Sequence, residues 1–215
     1  MTAESTASLT MVAIVEILGL VAFAVSGVMA AARAGMDWMA AIVLAVVVSV
    51  GGGTIRDLLI GHTPVDWMKD PWQVFVAMGA AAVVLLVLRV QPAVDYAERT
   101  PSLVADAAGL SAFVIVGTQD ALDAELTGLL AVMLGTITGV GGGVLRDVLT
   151  GNRPIVLTGE VYALAAIAGS SVYLLMLEVG VRGDVTVWVS MLTIFGIRLL
   201  AIRHGWRVPQ AAALT

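Results

Sequence analysis

No cysteine occurs anywhere in the 215 residues, which excludes disulfides, thiolate metal sites and cysteine nucleophiles. Histidine is almost as scarce. His62 and His204 stand far apart and make a poor ligand set, which argues against a metal-dependent enzyme. Charged residues reach only 13%, against roughly 25% in soluble domains. Several signatures are missing as well: a Gly-x-x-x-x-Gly-Lys-Ser/Thr phosphate loop, a Thr-Val-Gly-Tyr-Gly filter, an arginine ladder, and any histidine and carboxylate arranged beside a Ser or Thr nucleophile. ATP-driven pumping, voltage sensing and acyl transfer lose their machinery with them. The chain is expected to need no cofactor and no metal, to catalyse no reaction and, lacking a basic run, to bind no nucleic acid.

What is abundant is apolar surface: 60% of residues are hydrophobic and the mean hydropathy is +1.00. A bilayer core asks for about 20 mostly apolar residues per helix. Seven segments come near that length: Leu9 to Ala32, Trp38 to Ile60, Trp72 to Leu88, Leu103 to Thr118, Leu122 to Leu149, Val161 to Leu177 and Val185 to Leu200. The expected fold is therefore an all-α membrane protein of seven transmembrane helices. The first segment lacks a basic leader and carries Glu16, so it reads as a retained helix after a short polar tail, Met1 to Thr10. Cytoplasmic loops retain Lys and Arg. An outside N-terminus places Arg33, Arg89, Arg99, Arg153, Arg198, Arg203 and Arg207 inside, against Lys69 and Arg182 outside, so the C-terminus is expected in the cytoplasm. Arg198, Arg203 and Arg207 are expected to snorkel to lipid headgroups. Trp38, Trp67, Trp72, Trp188 and Trp206 are expected to anchor segment ends at the interface.

The two halves of the chain align without a gap at an offset of ninety residues. Gly19, Leu20, Ala22, Phe23 and Gly27 meet Gly109, Leu110, Ala112, Phe113 and Gly117, and Gly79 meets Gly169. Between positions 50 and 64, nine of fifteen residues are identical, including a Gly-Gly-Gly-x-x-Arg-Asp run and a following Gly-x-x-Pro. Apolar segments agree often by chance, but glycines, an Arg-Asp pair and a proline in register mark a duplication. The expected organisation is a three-helix repeat over 9–90, a second over 99–180 and a seventh helix over 184–204. Three helices is an odd number, so the second copy enters the membrane from the opposite side and the repeats are inverted.

Each triple glycine, Gly51, Gly52, Gly53 and Gly141, Gly142, Gly143, sacrifices about 1 kcal/mol of helix propensity per residue. Two roles fit. One is a break or kink whose freed carbonyls line a polar cavity near the midplane. The other is close helix packing, since Ala45, Ser49 and Gly53, matched by Gly135, Gly139 and Gly143, form small-xxx-small faces. Arg56, Asp57, Arg146 and Asp147 lie inside or at the edge of apolar segments, where a central charge costs at least about 2.5 kcal/mol. They should therefore have buried partners. Glu16 and Asp106 hold matched positions on the first and fourth segments. Opposed helix directions bring Glu16 to the depth of Arg56 in the outer half and Asp106 to that of Arg146 in the inner half. Two pseudo-symmetric ion pairs are expected, either purely structural or forming a charged constriction at each end of a polar pathway.

The paired Gly-Gly-Gly-x-x-Arg-Asp motifs, the two three-helix repeats and the seventh helix resemble the prokaryotic branch of the TRIC (trimeric intracellular cation) channels, from about Leu9 to Arg203. The resemblance implies a homotrimer in a prokaryotic inner (plasma) membrane, with a potassium-conducting pore in each subunit. It also implies second and fifth segments kinked at the triple glycines, lining that pore beside the first and fourth. Bacterial relatives with this double domain have also been labelled glycine transporters. An acid and a base at each end would suit a small zwitterion, so a glycine carrier or facilitator is the alternative, and a membrane scaffold whose glycines only pack helices is a third reading.

Overall fold

The computed structural model describes residues 3–91, 99–158, 160–181 and 183–209, and is all-helical. The helices are α1 (Ala3–Arg33), α2 (Trp38–Leu59), α3 (Asp66–Lys69), α4 (Trp72–Val90), α5 (Thr100–Asp123), α6 (Gly128–Leu149), α7 (Ala163–Glu178) and α8 (Asp184–His204), with a 3-10 turn at Ile155–Leu157. Six are long and apolar enough to span a bilayer, and α7, apolar but only 16 residues long, is the seventh. This multi-pass membrane architecture is the one expected, with three differences. The expected polar tail is helical from Ala3 onward, the fourth segment runs past Thr118 to Asp123, and the fifth begins at Gly128 instead of Leu122. Arg182, counted above for orientation, lies outside the described residues.

Local chemistry explains where the helices stop. Asp37 caps α2 by accepting a 2.8 Å bond from the Ala40 amide. At the other end of α2, Gly61 N–H donates to Leu58 O and His62 N–H to Asp57 O. Gly151 and Asn152 repeat this pattern after α6. Both glycines sit at φ +73°, a left-handed conformation that terminates a helix without steric cost to glycine. The Gly-x-x-Pro that follows each motif is thus a helix terminator.

The described core is built around α5, the most buried span, which packs on α1, α6, α7 and α8. By contrast α4 lies at the periphery, touching α1 and α2. Residues ninety apart meet at the centre. The Phe23 and Phe113 rings stack with centroids 5.4 Å apart. A Cβ on Gly19 would press on Phe113, and one on Gly109 would press on Phe23. No break interrupts the two helices: α2 and α6 run as continuous α-helices through both triple glycines. Close approach explains those residues. A Cβ on Gly52 would collide with Thr138 O, and one on Gly142 would stand 2.6 Å from Val48 O, so only glycine lets the α2 and α6 backbones touch. Gly135 and Gly139 likewise seat α6 against Val114 and its neighbours on α5.

Candidate functional site

The last turns of α2 and α6 carry the two Arg-Asp pairs into two buried charged clusters. In the first, Arg56 Nε and Nη2 donate to Asp57 Oδ1 at 2.8 and 2.6 Å. Nη2 also reaches Asp66 Oδ2 at 3.1 Å, and Nη1 lies 2.5 Å from Asp120 Oδ2. The second oxygen of Asp57 accepts the Asp66 amide at 2.9 Å, tying α3 to the end of α2. Trp67 donates its indole N–H to Thr54 at 2.9 Å, a bond inside the protein for a residue read only as an interfacial anchor.

The second cluster repeats the local geometry with different partners. Arg146 Nε and Nη2 donate to Asp147 Oδ1 at 2.9 and 2.8 Å, and Asp147 Oδ2 accepts the Ile155 amide at 2.9 Å. Nη1 pairs with Asp106 Oδ1 at 2.6 Å and donates to Ser26 Oγ at 2.7 Å. Tyr162, at the start of α7, donates its hydroxyl to the same Asp106 oxygen at 3.2 Å. Asp106 is completely buried. Buried charges of this kind persist only when paired and hydrogen-bonded, a condition both guanidinium groups meet.

One of the two expected ion pairs is present and the other is not. Asp106 and Arg146 pair as the depth argument requires. Glu16 lines the same small cavity as Arg56, yet its carboxylate accepts a hydrogen bond from Gln73, while Arg56 is held by Asp57, Asp66 and Asp120. Three carboxylates already occupy the guanidinium, which leaves Glu16 to take an amide partner from the start of α4. Tyr162 serves Asp106 from the start of α7 in the same manner. Sequence reasoning misses Asp66 because a one-turn helix leaves no periodic signal, and Asp120 because it lies past Thr118, where the apolar run of the fourth segment stops. Asp120 lies fourteen positions after Asp106 on α5, about four turns along nearly the same face, and that spacing was the available clue.

Because Asp106 and Asp120 belong to opposite clusters, α5 measures the distance between them: fourteen residues at 1.5 Å make about 21 Å. Between the clusters lie the stacked phenylalanines and the contact of the two glycine runs. The Arg56 cavity, bounded also by Ser49, Gly53 and Gln73, has a volume of only about 10 Å³. The Arg146 end opens into a cavity of about 280 Å³ that Arg33, Arg99, Asp147 and Asn152 also line. Asp57, His62 and Asp66 bring three ligand-type atoms within 4.8 Å of one another. Lys69 Nζ contacts His62, and Arg56 holds both carboxylates, so this group is an ion-pair network.

Arg198 departs most from expectation. Instead of snorkelling to headgroups it is fully buried, 4.7 Å above the centre of the Tyr162 ring, and donates to Val161 O at 3.0 Å. Its position near the end of α8 suggested an interfacial arginine. Packing of α8 against α5 and α7 carries it inward instead. Arg203 and Arg207 are exposed.

Comparison with known proteins agrees with this architecture. A family model described as Glycine transporter matches twice, over residues 13–89 and 103–178. The UPF0126 inner membrane protein YadS of Escherichia coli K12 is 41% identical over 201 residues, covering 92% of this chain and 94% of its own. A solved structure concerned with conductance through TRIC cation channels is 37% identical, with TM-score 0.79 and coverage of 92% and 95% of the two chains. The TRIC trimeric intracellular cation channel orthologue from Rhodobacter sphaeroides is 32% identical, with TM-score 0.84 and coverage of 92% and 100%. Two domain matches over most of the chain, a relative at 41% identity and shared folds at 37% and 32% identity agree: the chain carries the glycine transporter domain twice and belongs to the TRIC channel family.

Proposed function

We propose that the chain is a passive, potassium-permeable cation channel that assembles as a homotrimer, each subunit with its own pathway. The membrane is a prokaryotic inner (plasma) membrane, with the N-terminus outside and the C-terminus in the cytoplasm. The observation that carries this reading is the pair of buried charged clusters about 21 Å apart at opposite ends of α5, with a glycine-mediated helix contact between them. They are the constrictions of one pathway, and Glu16, Asp57, Asp106 and Asp147 with Arg56 and Arg146 are its charged lining. Three-helix units 9–90 and 99–180 stand in inverted relation, with 184–204 outside the repeat. The reciprocal contacts of Gly19 with Phe113 and Gly109 with Phe23 support a two-fold axis between them.

Charge balance favours cations at the outer end, where three carboxylates surround the single guanidinium of Arg56. The conformation is a closed one, since the backbones of α2 and α6 touch at Gly52 and the Arg56 cavity has room for about one water. A zwitterion such as glycine needs a free acid and a free base. Both guanidinium groups are already paired with carboxylates, so its binding would break a buried ion pair.

Purified protein in planar bilayers under a potassium gradient should give unitary currents reversing near the potassium equilibrium potential. Glycine uptake measured in liposomes from the same preparation should equal that of empty vesicles. Saturable glycine uptake without potassium current would overturn the channel reading in favour of a carrier.

A further inference from the structure

Arg198 is the largest side chain in the described structure with no exposed surface, and it lies on α8, beyond both segments matched by the family model. A buried arginine in a membrane helix is costly and marks function more often than decoration. Among the described residues its Nε and Nη2 have no hydrogen-bond partner, and Glu160 Oε2 forms an ion pair with Nη2 at 3.6 Å. Besides that ion pair, Val161 O and the face of Tyr162, a cation–π contact, hold the guanidinium. Tyr162 in turn donates to the Asp106 oxygen that pairs with Arg146. A continuous line of contacts thus runs from α8 through the start of α7 to α5 and the end of α6. Among the described residues the Arg56 cluster has no such connection. Ninety residues before Tyr162 stands Trp72, which has no hydroxyl, and the neighbouring Gln73 serves Glu16 with no arginine behind it.

We propose that Arg198 is a positioning residue for the Arg146 constriction: it clamps Tyr162 onto Asp106, so that the placement of α8 sets whether the Asp106 and Arg146 pair stays closed. This rests on the channel reading. The clamp acts by geometry, since Arg198 touches neither Asp106 nor Arg146 directly. Displacing α8 would free the Tyr162 hydroxyl, remove one of the two donors on Asp106 Oδ1 and loosen the pair that closes this end of the pathway.

The test compares Arg198→Met, Arg198→Lys, Tyr162→Phe and the Arg198→Met/Tyr162→Phe double variant in planar bilayers, each first shown by size-exclusion chromatography to match the wild-type oligomer. Arg198→Met and Tyr162→Phe should each raise open probability roughly fivefold or more while leaving unitary conductance unchanged. The double variant should do no more than either single change, because both cut one link. Arg198→Lys, which keeps a cation over the ring, should restore part of the wild-type gating. Additive effects, or an open probability that is unchanged or lowered, overturn the clamp. If Arg198→Met does not assemble, Tyr162→Phe and Arg198→Lys carry the same comparison.

A second arm does not depend on conduction. The chain has no native cysteine, so Ala30→Cys, on the wall of the Arg146 cavity, can be labelled alone by a water-soluble thiol reagent. Labelling should be several-fold faster when Arg198→Met is added. Equal rates overturn the clamp whether or not the protein conducts, whereas a wild type without potassium current overturns the channel reading alone.

Discussion

Arg56 and Arg146 occupy the same place in the same motif and bind the aspartate that follows them in the same way, yet they live in different surroundings. Around Arg56 the outside partners are Asp66 and Asp120, whose side chains are 40% and 34% exposed. Around Arg146 they are Asp106, with no exposure, and the buried Ser26, with Tyr162 and Arg198 closing the far side. One cluster is acidic and wetted at its rim, and the other is sealed from the core side and faces a cavity lined by further arginines. The shared motif sets the same local geometry at both ends, and the flanking helices give Arg56 partners exposed at the rim and Arg146 partners that are buried.

Removing the two arginines should break this comparison most visibly. Arg146→Ala leaves Asp106 and Asp147 buried without their cation and should cost about 3–5 kcal/mol, read as a large fall in the thermal midpoint of the detergent-solubilised protein. Arg56→Ala exposes its carboxylates to partial solvation and should cost clearly less. Equal losses would show that the two clusters are equally dry.

The glycines sharpen the contrast at smaller amplitude. A Cβ on Gly143 would run into the Tyr162 hydroxyl and come within 3.0 Å of Asp106, whereas one on Gly53 finds nothing closer than Arg56 Nη2 at 3.8 Å. Gly143→Ala should cost about 1–3 kcal/mol through overpacking. Gly53→Ala should be neutral or stabilising by up to about 1 kcal/mol through helix propensity. The smallest effect expected is at Ser26, which donates to Ser102 O and accepts from Arg146 across the two halves. Ser26→Ala should lower stability by about 1 kcal/mol, and a null effect would mean that Ser102 and water replace it.

Much of this was legible beforehand, for reasons that differ by residue. The helices could be read because each is a long apolar run. The Asp106 and Arg146 pair could be read because matched positions on antiparallel helices share a depth. Glu16 and Arg56 share a depth by the same argument and still do not pair, because depth says nothing about which carboxylates compete for one guanidinium. Asp66 and Asp120 entered from a one-turn helix and from a polar helix end, where periodicity is silent. The triple glycines were ambiguous between breaking a helix and packing one, since the same missing side chain permits both. Contact between α2 and α6 shows that they pack, and both helices continue through the glycines without a break.

By itself the sequence determined that the chain lives in a membrane, that it is duplicated and that each copy sets an Arg-Asp pair inside or at the edge of an apolar segment. These follow from hydropathy and internal identity, both of which act within a segment. Only the tertiary structure decided that the glycine runs meet each other, that Arg56 takes three carboxylates and that Arg198 turns inward onto Tyr162. Each of those outcomes is a competition among groups from different helices, and such competitions are resolved only when the helices pack.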